Sequence, residues 1–472
     1  MKALFSGLIA AIFFLPATAQ KSPVKFGEIP MEDMTMTTYP LDSSASAVVL
    51  VDYGEAYILS TSVSVKMTFE RHVRIKILKQ EGTQWANAII PLYDAGTAEE
   101  NVSNLKAVTY NLENGKIIVE SKMSKDAVFR EKFNRFFIHK KFTLPDVKVG
   151  SVLEYSYMVN SDFLLNFPNW QFQKDIPTRL SEYWAIIPDF CTFEKYMQGY
   201  VPVTSYEVKN LNISGIASKG HHYVCTNVPA FKEEPYMTSE TDYISKVNFA
   251  LSQISIPGQM VHDIMGSWQK LSSRLMEDDE FYGAVKGSGF LKSTVAQLTQ
   301  GLTDPMEKIA AIHKYVKETV EWDGNKDFYA GNFKKILEVK KGSSGDINLM
   351  LASMLQKAGL DVDMVLLSTR DHGFVREQYP MSKQFNYVVC LVRLGDKSIF
   401  LDATEKYLPV NVLPERCLNG RGLIVSPRNF GWINVDTKTK ARTTVSADLQ
   451  LQEDGILKGK VAFTHDGYDA NR

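Results

Sequence analysis

The hydrophobic residues of this chain follow two different periods, and the change falls near residue 258. Before that point apolar residues stand mostly at alternate positions, as in Met67, Phe69, Val73, Ile75 and Ile77. A period of two is typical of a strand with one buried face. After that point apolar residues recur three and four positions apart, which is typical of an amphipathic helix. We therefore expect an all-β region followed by a region that contains helices.

The region from about residue 45 to residue 240 is predicted to be a β-sandwich. Asn114-Gly115 lies between two β-rich runs and is a strong hairpin signal, because both residues tolerate positive φ angles. Further strands are predicted at 151–159, 182–187 and 223–226. Many short strands separated by turn residues are typical of sandwich folds.

Three helices are predicted early in the region 258–440. The first has an apolar series at Val261, Ile264, Trp268, Leu271 and Leu275. The second begins after Asp304, which suits an N-cap, and has Pro305 at its first helical position. The third begins near Ser343 and ends at Gly359, a residue type that commonly ends helices.

An antiparallel sheet is predicted to follow these helices. Its strands are expected at 364–368, 386–393 and 398–402. Helices followed by an antiparallel sheet indicate an α+β domain. Residues 441–472 are predicted to form strands again, with too few partners for a stable sheet. We therefore expect the sequence to stop inside a third, β-rich domain.

Residues 1–19 have the composition of a secretory signal. Lys2 is followed by an apolar run to Pro16 and then by Ala17-Thr18-Ala19. A charged start, a short apolar core and small residues at a cleavage site define such a signal. The run is shorter than the roughly 20 residues that span a bilayer. We expect cleavage after Ala19, a 20–44 extension, a periplasmic or cell-surface location, and no transmembrane segment after cleavage.

Charge and cysteine content bear on the classes of partner. The chain has 53 basic and 54 acidic residues, so it has no net field to attract nucleic acid or an anionic membrane. Its four cysteines are too few for a disulfide scaffold and match no zinc spacing. Cys191 and Cys225 could form a disulfide or stay as buried thiols. The pair His221-His222 has no acidic or thiol neighbours in sequence, so no metal site and no cofactor are expected.

Three short motifs lie in residues 304–405. They are Gly342 with Ser344 and Asp346, then Phe385-Asn386-Tyr387, then Leu401-Asp402-Ala403-Thr404. The set resembles the transglutaminase-like domain, a relative of the papain-type cysteine proteases, which carries Gly-x-Cys-x-Asp, Phe-Asn-His and Leu-Asp-x-Thr. The resemblance implies a papain-type α+β fold. It also places Ser344 at the nucleophile position, Tyr387 at the base position and Asp402 at the position of the orienting acid.

Two stretches of the first region resemble the β-rich domain of unknown function that precedes such domains in bacterial envelope proteins. They are Gly-Ser-Val-Leu-Glu-Tyr at 150–155 and Trp-Gln-Phe-Gln at 170–173. The expected architecture is therefore multidomain. An all-β sandwich at 45–240 is followed by a transglutaminase-like α+β domain at 258–440 and the start of a C-terminal β-rich domain at 441–472.

The hairpin register can be derived from the sequence. With Gly395-Asp396 as a two-residue loop, Val389 faces Asp402 across the hairpin. Tyr387, two residues from Val389, then shares a face with Asp402 and lies diagonally from it at roughly 7–8 Å. Ser344 lies at a helix N-terminus, where unpaired N–H groups favour negative charge and would stabilise a thiolate in a functional relative.

The residues at these positions do not supply the chemistry of the family. A serine hydroxyl needs an adjacent general base, and Tyr387, with a reference pKa of about 10, is protonated near neutral pH. His372, in the loop before Tyr387, is the alternative imidazole. Each residue also has an ordinary structural alternative, namely a helix N-cap for Ser344, a core tyrosine for Tyr387 and a turn acceptor for Asp402.

The leading interpretation is a non-catalytic protein of the bacterial cell envelope that binds or scaffolds a peptide, a protein or a glycan. The candidate binding residues are Ser344, Tyr387, Asp402, Asn386 and Trp322. An alternative is a transglutaminase-like protease or acyltransferase that uses Ser344 or another nucleophile. A third interpretation is a structural piece of a longer surface protein. A histidine or lysine within hydrogen-bond reach of the Ser344 hydroxyl would favour the enzyme.

Overall fold

The computed structural model describes residues 22–60, 65–119, 123–235, 237–256 and 258–471. The predicted signal at 1–19 lies outside these residues. The chain divides into two compact units. The first consists of Met1–Glu234 and Tyr243–Ile264, and the second of Pro235–Asp242 and Met265–Arg472.

The described residues of the first unit form strands and one short α-helix. The helix is α1 (Met31–Thr35), and the strands are β1 (Ala47–Ser60), β2 (Val65–Ile77), β3 (Asn87–Tyr93), β4 (Asn101–Glu113), β5 (Lys116–Val119), β6 (Val128–Lys132), β7 (Phe137–Thr143), β8 (Val152–Ser161), β9 (Trp170–Gln171), β10 (Thr178–Pro188), β11 (Cys191–Gln198), β12 (Ser205–Ile213), β13 (Ile216–Val228), β14 (Lys246–Ile254) and β15 (His262–Asp263).

Eight of these strands form one large sheet in the order β12-β13-β10-β1-β2-β8-β4-β5, antiparallel except where β1 lies beside β10. Two small sheets, β3-β7-β6 and β11-β14-β15 with β9, pack against it. Alternate residues of β2 share a face. Among them Met67 lies in the core beneath β11 and β14, and Ile75 in the core beneath β3 and β7. Both small sheets therefore cover the same face, and the predicted β-sandwich is confirmed.

The other face of the large sheet is covered in part by the segment 22–36. Met34 of this segment lies in one core with Val48, Leu50 and Val152. The hairpin between β4 and β5 turns at Asn114-Gly115, where both residues have positive φ angles of 48° and 73°. The predicted turn is therefore present.

The cysteines of this unit are not joined. Cys191 and Cys225 are both buried free thiols in the same core. Across the described residues, no group of three or more His, Cys, Asp or Glu side chains could hold a metal ion. None of the helices in the described ranges is long and apolar enough to cross a membrane.

The second unit combines helices with an antiparallel sheet. Its elements are α2 (Trp268–Glu277), α3 (Tyr282–Gly287), α4 (Lys292–Leu298), α5 (Pro305–Thr319), β16 (Glu321–Trp322), α6 (Phe333–Val339), β17 (Lys341–Gly342), α7 (Ser344–Lys357), β18 (Asp361–Leu367), β19 (Tyr387–Leu394), β20 (Lys397–Leu401), β21 (Gly420–Val425), β22 (Phe430–Val435), β23 (Ala441–Leu451) and β24 (Leu457–Gly467).

Helix α7 is the central element of this unit. It packs on one face of the sheet β20-β19-β18-β21-β22, and its residues from Ser344 to Leu355 are all buried. Its start is fixed by a capping box, in which the Ser343 side chain accepts from the Asp346 N–H and the Asp346 carboxylate accepts from the Ser343 N–H. The predicted α+β architecture is confirmed.

The first predicted helix begins later than expected. Helix α2 starts at Trp268 with Ser267 as its side-chain cap. Val261 is exposed, and the next residues form the short strand β15. Gly266 has a φ angle of +65°, which no right-handed helix contains. The helical prediction was therefore wrong for Val261 and Ile264, because two apolar residues at helical spacing cannot distinguish a helix from a loop.

The predicted C-terminal strands are present as β23 and β24. They pair with each other around the turn at Asp454-Gly455, and all their residues are exposed. Val445 and its cross-strand partner Phe463 lie on an apolar face of this hairpin.

Candidate functional site

The hairpin β19–β20 brings Tyr387 and Asp402 together. Leu394 pairs with Lys397, which is the register expected for the loop Gly395-Asp396. Tyr387 is the first residue of β19, and Asp402 follows the last residue of β20. The Tyr387 hydroxyl donates a hydrogen bond of 2.9 Å to Asp402 Oδ2. The long tyrosine side chain thus spans the diagonal that separates the two backbones.

The carboxylate of Asp402 is buried and surrounded by donors. Besides Tyr387, Asn348 Nδ2 donates to its Oδ2 at 2.7 Å, and the Thr404 N–H and hydroxyl both donate to its Oδ1. The main-chain oxygen of Asp402 accepts from His313 Nε2 at 2.7 Å. Burial lowers the pKa of His313, which favours a neutral ring in this role.

Asn348 connects helix α7 to the hairpin. It lies one turn after Ser344 and is fully buried. Its Nδ2 also donates to the Val388 oxygen at 2.9 Å, and its Oδ1 accepts from the Ala403 N–H at 2.9 Å. The oxygen and the nitrogen of the Asn348 amide are therefore both hydrogen-bonded to the hairpin. These bonds fix the position of Asp402 relative to helix α7.

Arg416 occupies the space beside the Tyr387 hydroxyl. Its guanidinium donates to Thr404 Oγ1 and to Glu405 Oε1, both at 2.6 Å, and lies 3.4 Å from the Tyr387 oxygen. It also stacks over the Trp322 ring, 4.1 Å from the centroid. Burial and the nearby Asp402 carboxylate raise the pKa of Tyr387 well above its ordinary value, outweighing the opposite effect of Arg416, so the phenol stays protonated.

The Ser344 hydroxyl is held by the loop 323–331. It donates to the Asp327 oxygen at 2.7 Å and accepts from the Asp327 N–H at 2.8 Å. The Ser344 N–H donates to the Asn325 oxygen at 3.1 Å, and Trp322 Nε1 donates to the same oxygen at 2.9 Å. Ser344 is fully buried. The first residue of helix α7 therefore binds the protein's own backbone through both its hydroxyl and its N–H.

The structure unites some of the predicted residues and separates others. Tyr387 and Asp402 are hydrogen-bonded, and Trp322 reaches Tyr387 through the stacked Arg416. The Asn386 side chain hydrogen-bonds to Thr369. Its Oδ1 accepts from the Thr369 N–H, and its Nδ2 donates to the Thr369 hydroxyl. The hydroxyl bonds of Ser344 described above go to the loop and not to Tyr387.

The alternative imidazole and the nearby thiol are also engaged elsewhere. His372 Nδ1 lies 2.9 Å from the Ser368 hydroxyl. Cys390 donates its thiol to the Asn348 oxygen and packs against helix α7, on the sheet face opposite Tyr387. Burial raises the pKa of this thiol, which favours its protonated form.

Sequence reasoning missed four residues of the site, namely His313, Asp327, Asn348 and Arg416. A signal existed for Asn348, because residues four apart on a helix share a face and Ser344 was already placed at the helix start. The other three come from segments with no fixed distance to the motifs, so their contacts depend on tertiary folding.

The comparisons with known proteins agree with this architecture. The model of the transglutaminase-like superfamily matches residues 292–437, and that of DUF3857, a domain of unknown function with a solved structure, matches residues 64–212. No curated protein matches the chain.

Two solved structures are similar to this chain. One, described as a "putative protease" from Parabacteroides distasonis, has a TM-score of 0.58 and 12% identity, over 84% of this chain and 72% of that one. The other, described as a "putative cysteine protease" from Cytophaga hutchinsonii, has a TM-score of 0.21 and 11% identity, over 74% of this chain and 78% of that one. The first supports the fold alone. The chain thus carries a transglutaminase-like domain in residues 292–437, preceded by a DUF3857 domain in residues 64–212.

Proposed function

We propose that this chain is an exported, non-catalytic transglutaminase-like protein that binds or scaffolds a peptide, protein or glycan of the bacterial cell envelope. The observation that carries the proposal is the pair of hydrogen bonds that fix the Ser344 hydroxyl to the backbone of Asp327. A hydroxyl that donates to a carbonyl and accepts from an N–H has no hydrogen directed at a base, and its oxygen is not directed at a substrate.

The rest of the site supports the absence of catalysis. Removing a proton from serine requires a group that accepts it. Tyr387 stays protonated and donates its hydrogen to Asp402. Asp402 itself is surrounded by donors from Asn348 and Thr404. Every group at a catalytic position therefore serves the fold.

A binding role is supported by the residues at the edge of this site. Trp322 and Arg416 are both partly exposed and stack on each other. A tryptophan face and a guanidinium plane suit stacking with amides and planar groups, and the tryptophan also suits the apolar face of a sugar ring. This pair is where we place contact with a peptide or glycan.

The proposal is tested by one experiment with two arms, on the chain from Gln20 onward. The first arm measures peptide hydrolysis and amine incorporation by the wild type and by Ser344→Ala, with equal rates at background expected. The second arm measures retention on purified peptidoglycan sacculi and on immobilised envelope proteins. Trp322→Ala should lower retention, whereas Tyr206→Ala, an exposed aromatic in the other unit, should not.

The outcomes of the two arms separate the competing functions. A reproducible rate that falls about tenfold or more in Ser344→Ala would establish the enzyme, because loss of a working nucleophile costs far more than that. No retention by the wild type on either material would remove the binding role. Export is checked in the same preparation, since N-terminal sequencing from cells should begin at Gln20.

A further inference from the structure

Strand β12 lies at one edge of the large sheet of the first unit. It pairs with β13 on one side, and among the described residues no strand pairs with its other side. Its residues from Ser205 to Asn210 are all exposed. An edge strand presents a row of backbone N–H and C=O groups that can pair with a further strand. The free edge of β12 is therefore a candidate interaction surface.

The hairpin between β12 and β13 determines which backbone groups of β12 point to the free edge. Its two-residue loop, Ser214-Gly215, has positive φ angles of 52° and 87° and is closed by the pair of Ile213 with Ile216. In such a hairpin the closing pair is hydrogen-bonded, and hydrogen-bonded pairs alternate along the two strands. The odd-numbered residues of β12 therefore bond to β13. The even-numbered residues from 206 to 212 direct their N–H and C=O groups outward.

This edge lacks features by which proteins commonly prevent pairing between edge strands, such as proline, bulges and uncompensated lysine. Strand β12 has nine residues without proline, and its register with β13 continues without a shift along its whole length. Its one lysine, Lys209, is paired with Glu207 at 2.7 Å. By contrast β5, at the other edge of the same sheet, has only four residues. The long edge at β12 is therefore open to pairing.

The charges on β12 indicate which strand fits this edge. Glu207 and Lys209 stand on either side of Val208. When two copies of β12 run antiparallel with Val208 opposite Val208, Glu207 of each copy lies opposite Lys209 of the other. A shift that puts Glu207 or Lys209 on the two-fold axis would place like charges opposite each other, which is destabilising.

The same register satisfies the backbone. With Val208 on the axis, even-numbered residues lie opposite even-numbered residues, so outward-directed N–H and C=O groups meet outward-directed groups. A register with the axis between two residues would put outward-directed groups opposite residues that already bond to β13. The charge pattern and the hydrogen-bonding pattern therefore select one arrangement, in which the partner is a second copy of the same strand.

We propose that two copies of this chain associate by antiparallel pairing of β12 around Val208, which joins their large sheets into one. Backbone hydrogen bonds supply the attraction, and the pairs of Glu207 with Lys209 fix the register. Pairing along one strand edge buries less surface than a standard interface, so the dimer dissociates at roughly 10–100 µM. The association does not depend on the ligand of the transglutaminase-like domain.

Sedimentation equilibrium of the chain from Gln20 onward, at about 1–300 µM, tests the association, because this range brackets the expected dissociation constant. Lys209→Glu places two glutamates opposite each other at both pairs and should weaken the dimer roughly tenfold. Glu207→Lys alone should weaken it by a similar factor. The two substitutions together restore opposite charges across the axis, so the double variant should associate within about threefold of the wild type.

Disulfide formation tests the register. In Val208→Cys the two Cα atoms on the axis would be about 5.5 Å apart, which is within the range of a disulfide. In Asn210→Cys, on the same strand face but two residues from the axis, they would be roughly 14 Å apart. The four cysteines of the chain are buried free thiols. After oxidation, Val208→Cys should therefore run as a dimer on a non-reducing gel, and Asn210→Cys as a monomer.

Three results would overturn the proposal. They are a wild type that stays monomeric over the whole concentration range, a dimer that Lys209→Glu leaves unchanged, and equal disulfide formation in the two cysteine variants. The first result would leave the edge to a strand from another protein. The substituted side chains are all exposed, so circular dichroism should show the same folding in every variant.

Discussion

A tyrosine at position 387 offers different hydrogen-bonding groups from those that a histidine would offer at the same place. Neutral imidazole has two nitrogens, so it can donate to an acid with one and accept a proton with the other. Tyr387 has one oxygen, and it donates that hydrogen to Asp402. Compared with an imidazole, the Tyr387 phenol still donates to Asp402 but has no second, basic nitrogen. The Arg416 guanidinium, 3.4 Å from the same oxygen, donates towards it.

The first prediction concerns the structural value of this tyrosine. Tyr387→Phe keeps the ring but removes a donor to the buried Asp402, so it should lower the free energy of unfolding by about 1–3 kcal/mol. Urea denaturation measures this change. Tyr407→Phe, at an exposed tyrosine in the same unit, should change stability by no more than about 0.5 kcal/mol. A neutral Tyr387→Phe would mean that the hydroxyl has no structural role.

The residues of the site differ in how far sequence could predict them. Tyr387 and Asp402 were placed on one face because a two-residue hairpin loop fixes the register, and Ser344 was placed at a helix start by its capping residues. Arg416 could not be placed, because it lies in a loop whose path depends on packing. The contact between the loop 323–331 and Ser344 could not be predicted either. Nothing in the composition of this loop indicates that its backbone packs against the start of helix α7.

At the scale of elements, the segment 22–36 is more than the extension that its sequence suggested. Its Gly27 N–H donates to the buried Glu154 at 2.8 Å, and its Met34 oxygen accepts from Lys76 Nζ at 2.7 Å. Asp33 is paired with Arg179 at 2.6 Å. The segment has no clear hydrophobic period, so sequence patterns could not predict that it packs on a sheet. It is held by polar groups that the sheet itself buries.

The second prediction uses Lys76, which links this segment to the large sheet. Burial lowers the pKa of Lys76 to about 8, against an opposing effect of Asp33. Between about pH 8 and the ordinary lysine pKa of about 10.4, the unfolded state binds more protons, so stability should rise with pH in this window. We expect Lys76 to add about 1–2 kcal/mol to the free energy of unfolding over this window. This figure already allows for screening by solvent near the segment.

Urea denaturation of the wild type and of Lys76→Met across this pH window isolates the effect. The variant loses two hydrogen bonds, to the oxygens of Met34 and Gly150, so its absolute stability is not the measurement. The quantity to compare is the change in the free energy of unfolding across the pH window. The other lysines and tyrosines contribute equally to this change in the two proteins, so their effects cancel in the difference. Parallel profiles for the two proteins would mean that Lys76 has an ordinary pKa in the folded state.

At the scale of the whole molecule, each compact unit has cores of its own. In the first unit, one core contains Tyr183, Trp170 and Phe249 beneath the small sheet around β14, and a second contains Ile75 and Phe142 beneath β3 and β7. A domain of this size with its own buried cores has what independent folding requires. Strand periodicity predicted the place of Met67 and Ile75 in these cores, because alternate residues of a strand share a face.

The third prediction follows from this distribution of cores. We expect a fragment of residues 20–264 to unfold in urea in one cooperative transition. The fluorescence of Trp85, Trp170 and Trp184 measures this transition.

A fragment with a rearranged core can also unfold cooperatively, so a variant in the native core is needed as a control. Tyr183 is fully buried and stacks on Trp170 with centroids 4.9 Å apart. Tyr183→Ala should therefore destabilise the fragment by about 3–5 kcal/mol, as large-to-small changes in packed cores do. Two results would show that the native core does not form without the rest of the chain. One is a fragment without a sigmoidal transition, and the other is a fragment whose free energy of unfolding is unchanged by Tyr183→Ala.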